Sequence, residues 1–239
     1  MANPFRGKAN SSKFSTEIPE VGPHAAVLVA LIDKGTHTEE VKEEKTGKMV
    51  PKDLRKLMLV WELTDAPMSG TQHNHVVFKE YNLSFHNSGH LRKLAEAIRG
   101  APWVDEQDIN YDAMVGAKCL VSILHKTAKG SGREYAVVQS VSKPMKGQAV
   151  PPAKRQPFSW YLDDDNLAAT DYSKIPDWIP FRKDLIEEIK YSHQIRGKHG
   201  NGGDRPAPAG GIDHYDDAVP APSGAGMPAG ADDGDTIPF

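Results

Sequence analysis

Between Lys118 and Lys146 the chain carries six basic side chains, Lys118, Lys126, Lys129, Arg133, Lys143 and Lys146, against a single acid, Glu134. Cations at that density neutralise phosphates. Tyr135 follows the basic run directly, and Trp61, Phe78 and Tyr81 lie in apolar segments that also hold Lys56 and Lys79. Unpaired bases stack on such rings at roughly 1–3 kcal/mol each, whereas a duplex hides its base faces. The combination fits a surface for single-stranded nucleic acid, with Lys56, Trp61, Phe78, Lys79, Tyr81, Lys118, Lys126, Lys129, Arg133 and Tyr135 as candidate binding residues. Lys79 and Tyr81 share one face of an alternating segment, and burying a lysine is costly, so this pair is the better candidate. Trp61 and Phe85 lie on leucine-rich faces and fit either a core or a binding role.

Other chemistries are poorly served. KGSGRE (129–134) lacks the spacing and following helix of a phosphate-cradling loop and reads as a hairpin turn. His73, His75, His86 and His90 have no cysteine nearby, and Asp163, Asp164 and Asp165 read as a solvated charge run, so no metal or cofactor is expected. No nucleophile, base and orienting group stand at a recognisable spacing. The chain is therefore not expected to be an enzyme, and a metal-dependent nuclease is the least favoured alternative. Cys119, inside CLVSIL, reads as a buried strand residue.

The elements that must position these groups follow from periodicity. PHAAVLVALID (23–33) is a continuous apolar run, as in a strand buried on both faces. KGTHTEEVKEEKTGKMVPKDLRK reads as a long charged connection. LMLVWEL (57–63) is strand-like, and VVFKEYNLSF (76–85) alternates, with Val77, Lys79, Tyr81, Leu83 and Phe85 on one face. The period then becomes helical: Leu91, Leu94, Ala95 and Ile98 form a stripe between a candidate N-cap, Ser88, and Gly100. AKCLVSILHK (117–126) and EYAVVQSV (134–141) are two further strands joined by a glycine-containing loop. Three strands, one helix and two strands predict a mainly β fold, a five-stranded OB-fold barrel with one helix between strands 3 and 4, whose sheet face and flanking loops bind oligonucleotides.

The expected organisation is a flexible arm (1–20), the nucleic-acid-binding domain (21–146), an extension packing on the barrel (147–196) and a disordered acidic tail (197–239). The extension holds Trp160, Tyr161, Trp178 and Phe181, too many rings for a free linker. Its short helix covers PFRKDLIEEIKYS, with Phe181, Leu185 and Ile189 on one stripe. The net charge of −3 is uneven. Residues 197–239 hold seven acids against Lys198 and Arg205, leaving the rest of the chain mildly basic. Mean hydropathy is −0.53, no run approaches the roughly 20 apolar residues of a membrane span, and MANPFRGKANSSKFSTE is unlike a secretion signal. A single cysteine fits a reducing compartment. A cytoplasmic protein without membrane contact is expected.

The last nine residues, ADDGDTIPF, place Ile237, Pro238 and Phe239 beside Asp232, Asp233 and Asp235. Large apolar residues in a flexible acidic stretch stabilise nothing unless another molecule buries them. This tip resembles that of bacterial single-stranded DNA-binding proteins, which end in acids followed by Ile-Pro-Phe; Thr236 stands where an acid is usual. The body is more similar to the phage and mobile-element proteins of this function, through KEYNLSF, the helix ending RG, the last hairpin and the Pro-Asp-Trp-Ile segment. The resemblance implies a protein that coats single-stranded DNA in replication, recombination or repair and recruits partner proteins through its tip. A strand-annealing recombination mediator on the same fold, or an RNA-binding accessory module, are the alternatives. One barrel per chain is compatible with a monomer or a homo-oligomer.

Overall fold

The computed structural model describes residues 17–43, 46–104, 107–128 and 132–199. Most of the expected arm, Lys129, and the tail with Asp232, Asp233, Asp235, Ile237, Pro238 and Phe239 lie outside the described residues. The chain is mainly β. Strands β1 (Gly22–Lys42), β2 (Met49–Pro67), β3 (Asn74–Asn82), β4 (Lys118–Thr127) and β5 (Glu134–Ser142) form one sheet in the order β3-β2-β1-β4-β5, every neighbouring pair antiparallel. A short β6 (Phe158–Trp160) runs parallel to β1 from Ala30 to Ile32. Helices are few: α1 (His90–Arg99), α2 (Arg182–Lys190) and α3 (His193–His199), with short 3-10 turns between. None of them is long and apolar enough to cross a membrane.

The apolar run in β1 is buried on both faces because the sheet is covered on both. Ala26, Leu28 and Leu31 enter one core and Ala25, Val27, Val29, Ala30 and Ile32 the other, with a register shift between Leu28 and Ala30 that changes the alternation. In the first core, α1 lays Leu91, Leu94, Ala95 and Ile98 against Leu57, Leu59, Trp61, Leu63 and Val77. Gly100 ends α1 in the left-handed region at φ 76° and donates its N–H to the Glu96 carbonyl, a conformation that favours glycine. Gly89, without a capping side chain, takes the N-cap position expected of Ser88.

The second core forms under the 147–199 segment, whose Val150, Trp160, Leu162, Leu167, Ile175, Ile179, Leu185 and Ile189 cover Met58, Val60, Val76 and Phe78. Charged groups fasten the two layers. The fully buried Glu62 carboxylate accepts from the Asn74 amide (2.7 Å) and from the Lys154 and Arg155 backbone N–H groups (both 3.0 Å), with the Arg155 guanidinium at 3.5 Å. Lys34, also buried, pairs with Glu80 of β3 and with Glu188 of α2 at 2.7 Å. Arg55 bridges Asp33 and Asp164, both at 2.6 Å. Asp164 of the Asp163–Asp165 run is thus ion-paired to the sheet.

The charged stretch 34–56 is not a loop, which corrects the reading of it as a connection. Strands β1 and β2 continue through it as a two-stranded ribbon from Gly35↔Lys56 to Lys42↔Met49. Charges alternate with Thr, Val and His, and most of the ribbon is solvated on both faces, so no apolar period marks it. Its root is braced by α3: Gln194 accepts from the Thr36 N–H at 2.9 Å, and His193 Nε2 lies 3.0 Å from Thr38 Oγ1. Gly35 sits there at φ 79°, and a Cβ on it would fall 2.5 Å from Ser192 Cβ, so only glycine admits the crossing.

Candidate nucleic-acid interface

Of the described candidate cations, the exposed ones are those of the β4–β5 hairpin. Alternation along β4 turns Cys119, Val121 and Ile123 into the first core and leaves Lys118, Leu120, Ser122, Leu124 and Lys126 on the opposite face. Lys118 and Lys126 therefore mark the two ends of one stripe, roughly 26 Å apart at about 3.3 Å per residue. Lys126 faces Tyr135 directly across the ladder, and Leu124, 37% exposed, faces Val137 one step in. Tyr135 is half-buried, while Lys118, Lys126 and Arg133 are exposed. The Ala128 N–H donates to the Arg133 carbonyl at 2.9 Å, just beyond the last strand pair, Thr127 and Glu134. No acid other than Glu134 lies in this hairpin.

The remaining candidates are elsewhere. Trp61 is fully buried in the first core, which corrects its reading as a stacking ring: alternation in β2 points it at α1. Lys56 is 6% exposed and pairs with Glu39 across the ribbon, so its charge is internally compensated. Lys79 and Tyr81 are half-buried on the α1 side of β3, with the Lys79 ammonium 5.8 Å from the Tyr81 ring centroid. Burial pushes the Tyr81 hydroxyl pKa up. Lys79 Nζ donates to the Val138 carbonyl of β5 at 3.3 Å, so the pair expected at the surface spans the gap between the two outermost strands of the sheet. Phe78 is half-buried on the other face, edge-on to Phe181 with centroids 5.8 Å apart. The structure thus groups Lys126, Arg133 and Tyr135, with Lys118 at the far end of β4, and leaves the β2–β3 rings apart from them.

Two ring sites were missed by reading periodicity. Phe181 is not part of the α2 stripe with Leu185 and Ile189; it stands at the N-cap with its ring 56% exposed. Phe85, 54% exposed, stacks on Tyr111 at 5.3 Å. Phe85 falls beyond the end of β3 at Asn82, so the alternation that put it on a leucine-rich face no longer applies.

Cys119 is fully buried, and burial pushes its thiol pKa up to about 12. His73, His86 and His90 are exposed and His75 is buried beside Glu17 at 3.6 Å. Among the described residues no three His, Cys, Asp or Glu side chains gather as a metal centre. Compared with known proteins, the chain matches no protein-family model, and no curated sequence matches it.

Proposed function

We propose that this chain is a sequence-independent single-stranded DNA-binding protein built on an OB-type barrel. The observation that carries the reading is topological: β1 is shared between β2 and β4, the one helix of the sheet domain falls between β3 and β4, and the outermost strands approach where Lys79 of β3 donates to Val138 of β5. That is the order of a partly open five-stranded barrel whose loops after strands 1 and 4 flank an oligonucleotide. Here those connections are the charged ribbon and the basic β4–β5 hairpin. Lys118, Lys126, Lys129 and Arg133 neutralise phosphates, and Tyr135 offers a ring beside them.

The choice of DNA, and the roles in replication, recombination or repair, come from the resemblance of the Asp235–Phe239 tip and the body to single-stranded DNA-binding proteins. In this reading the tip recruits partner proteins: Phe239 enters an apolar pocket while the neighbouring acids meet a basic surface. The test is fluorescence anisotropy with labelled oligo-dT, oligo-U and duplex DNA over a salt series. Tight oligo-dT binding that weakens steeply with salt, and much weaker duplex binding, is expected. Equal affinity for duplex and single strand removes the proposal.

A further inference from the structure

Phe181 is the sole non-glycine residue in the left-handed region among the described residues, at φ 53° and ψ 32°. For a bulky side chain that backbone is strained. The position calls locally for Gly, Asn, Ser or Asp, because it is the N-cap of α2, and Phe181 supplies no capping side chain. Nor does burial explain the ring, which is 56% exposed, whereas Leu185 and Ile189 of the same helix are buried. The surroundings hold the strained turn in place. The Arg182 guanidinium donates to the Ile175 and Tyr172 carbonyls at 2.6 and 3.2 Å, and the Phe181 carbonyl accepts from Leu185 N–H at 2.9 Å.

What the strain achieves is placement. The ring stands edge-on to Phe78 at 68°, on the outer face of the outermost strand β3, where the extension meets the sheet. An exposed ring backed by a half-buried one gives a rigid platform with one apolar side open to solvent. The nearby charges balance: Arg182 and Lys183 stand against Asp177 and Asp184. A phosphate gains little here, and a neutral aromatic face gains more.

We infer that Phe181, supported by Phe78, is a base-stacking contact for single-stranded nucleic acid, separate from the phosphate-binding cations of the β4–β5 hairpin. The inference rests on the single-strand-binding reading and adds a site to it. Binding at this position reads bases and not the backbone.

The test compares wild type with Phe181→Gly and Phe181→Tyr on an oligo-dT of roughly 16 nucleotides, the upper end of one fold's footprint, and on an abasic strand of equal length. Glycine accepts the left-handed backbone, so Phe181→Gly is expected to keep the melting temperature of wild type or exceed it. It should lose roughly ten-fold in oligo-dT affinity, as one stacked base predicts. The loss should vanish on the abasic strand, and the slope of log affinity against log salt should stay unchanged because no phosphate contact is removed. Phe181→Tyr should restore binding. Undiminished oligo-dT binding by Phe181→Gly, an equal loss on the abasic strand, or a smaller salt slope overturns the inference and leaves the wider reading standing. A wild-type protein that fails to hold oligo-dT at all removes both.

Discussion

Glu62 and Trp61 are neighbours in β2, both fully buried, and they face opposite layers. Trp61 belongs to the α1 core; Glu62 fastens the 154–155 backbone to the other face of the sheet. Replacing Glu62 with alanine strands two backbone N–H groups and leaves the Arg155 guanidinium without its buried carboxylate. Such a loss costs about 3–5 kcal/mol, and urea unfolding of Glu62→Ala against wild type measures it. Glu96 makes a pH-dependent contribution of definite sign. The Trp103 N–H and the Arg92 guanidinium, each at 3.1 Å, hold its carboxyl below the ordinary value of 4.5. Stability from this group is therefore complete above pH 4.5 and is lost as pH falls through the lowered folded value. Thermal unfolding between pH 7 and pH 3 should show Glu96→Gln less stable than wild type at neutral pH, with the gap closing in acid.

At the level of elements, the 147–199 segment is the cover of one sheet face: without it the outer face of β1 and β2 presents Val27, Val29, Ile32, Met58 and Val60 to water. A chain ending at Lys146 is expected to aggregate, because an apolar face of that extent is not tolerated on a monomer. A chain ending at His199 keeps every described layer and should remain monodisperse. Size-exclusion chromatography of the two distinguishes them. Covering on both faces explains why the β2–β3 rings do not form an open platform: Trp61 and Tyr81 pack in the α1 core, and Phe78 packs under the extension. The extension occupies the outer face of the sheet, and its own Phe181 stays exposed.

Over the whole molecule, the mildly basic body owes its candidate interface to the concentration of cations in one hairpin, since its net charge is small. Each phosphate contact on a single strand contributes about 0.7 to the slope of log affinity against log salt. Lys126→Ala with Arg133→Ala should therefore lower that slope by about 1.4 and weaken binding at low salt, with melting temperature unchanged, because both side chains are exposed. Anisotropy titrations over a salt series check this, and an unaltered slope would place the phosphates elsewhere.

The succession of three strands, one helix and two strands, the α1 stripe and the doubly buried β1 were legible in the sequence because burial on one or both faces leaves a period that local residues must obey. The basic character of the 118–146 stretch was legible for a simpler reason: charge is a property of residue type. Three features were decided only by tertiary structure. The ribbon at 34–56 has no apolar period, so only its cross-strand pairing and the α3 brace distinguish it from a loop. Trp61, Phe78 and Tyr81 are rings on an alternating strand, and alternation names a face without saying what covers it; α1 covers one and the extension the other. Phe181 obeys a helical spacing with Leu185 and Ile189, yet α2 begins at Arg182, whose guanidinium is held by the Ile175 carbonyl, and Phe181 stands before it in the left-handed region with its ring exposed. Sequence sets which residues share a face, and long-range contacts set which faces meet water.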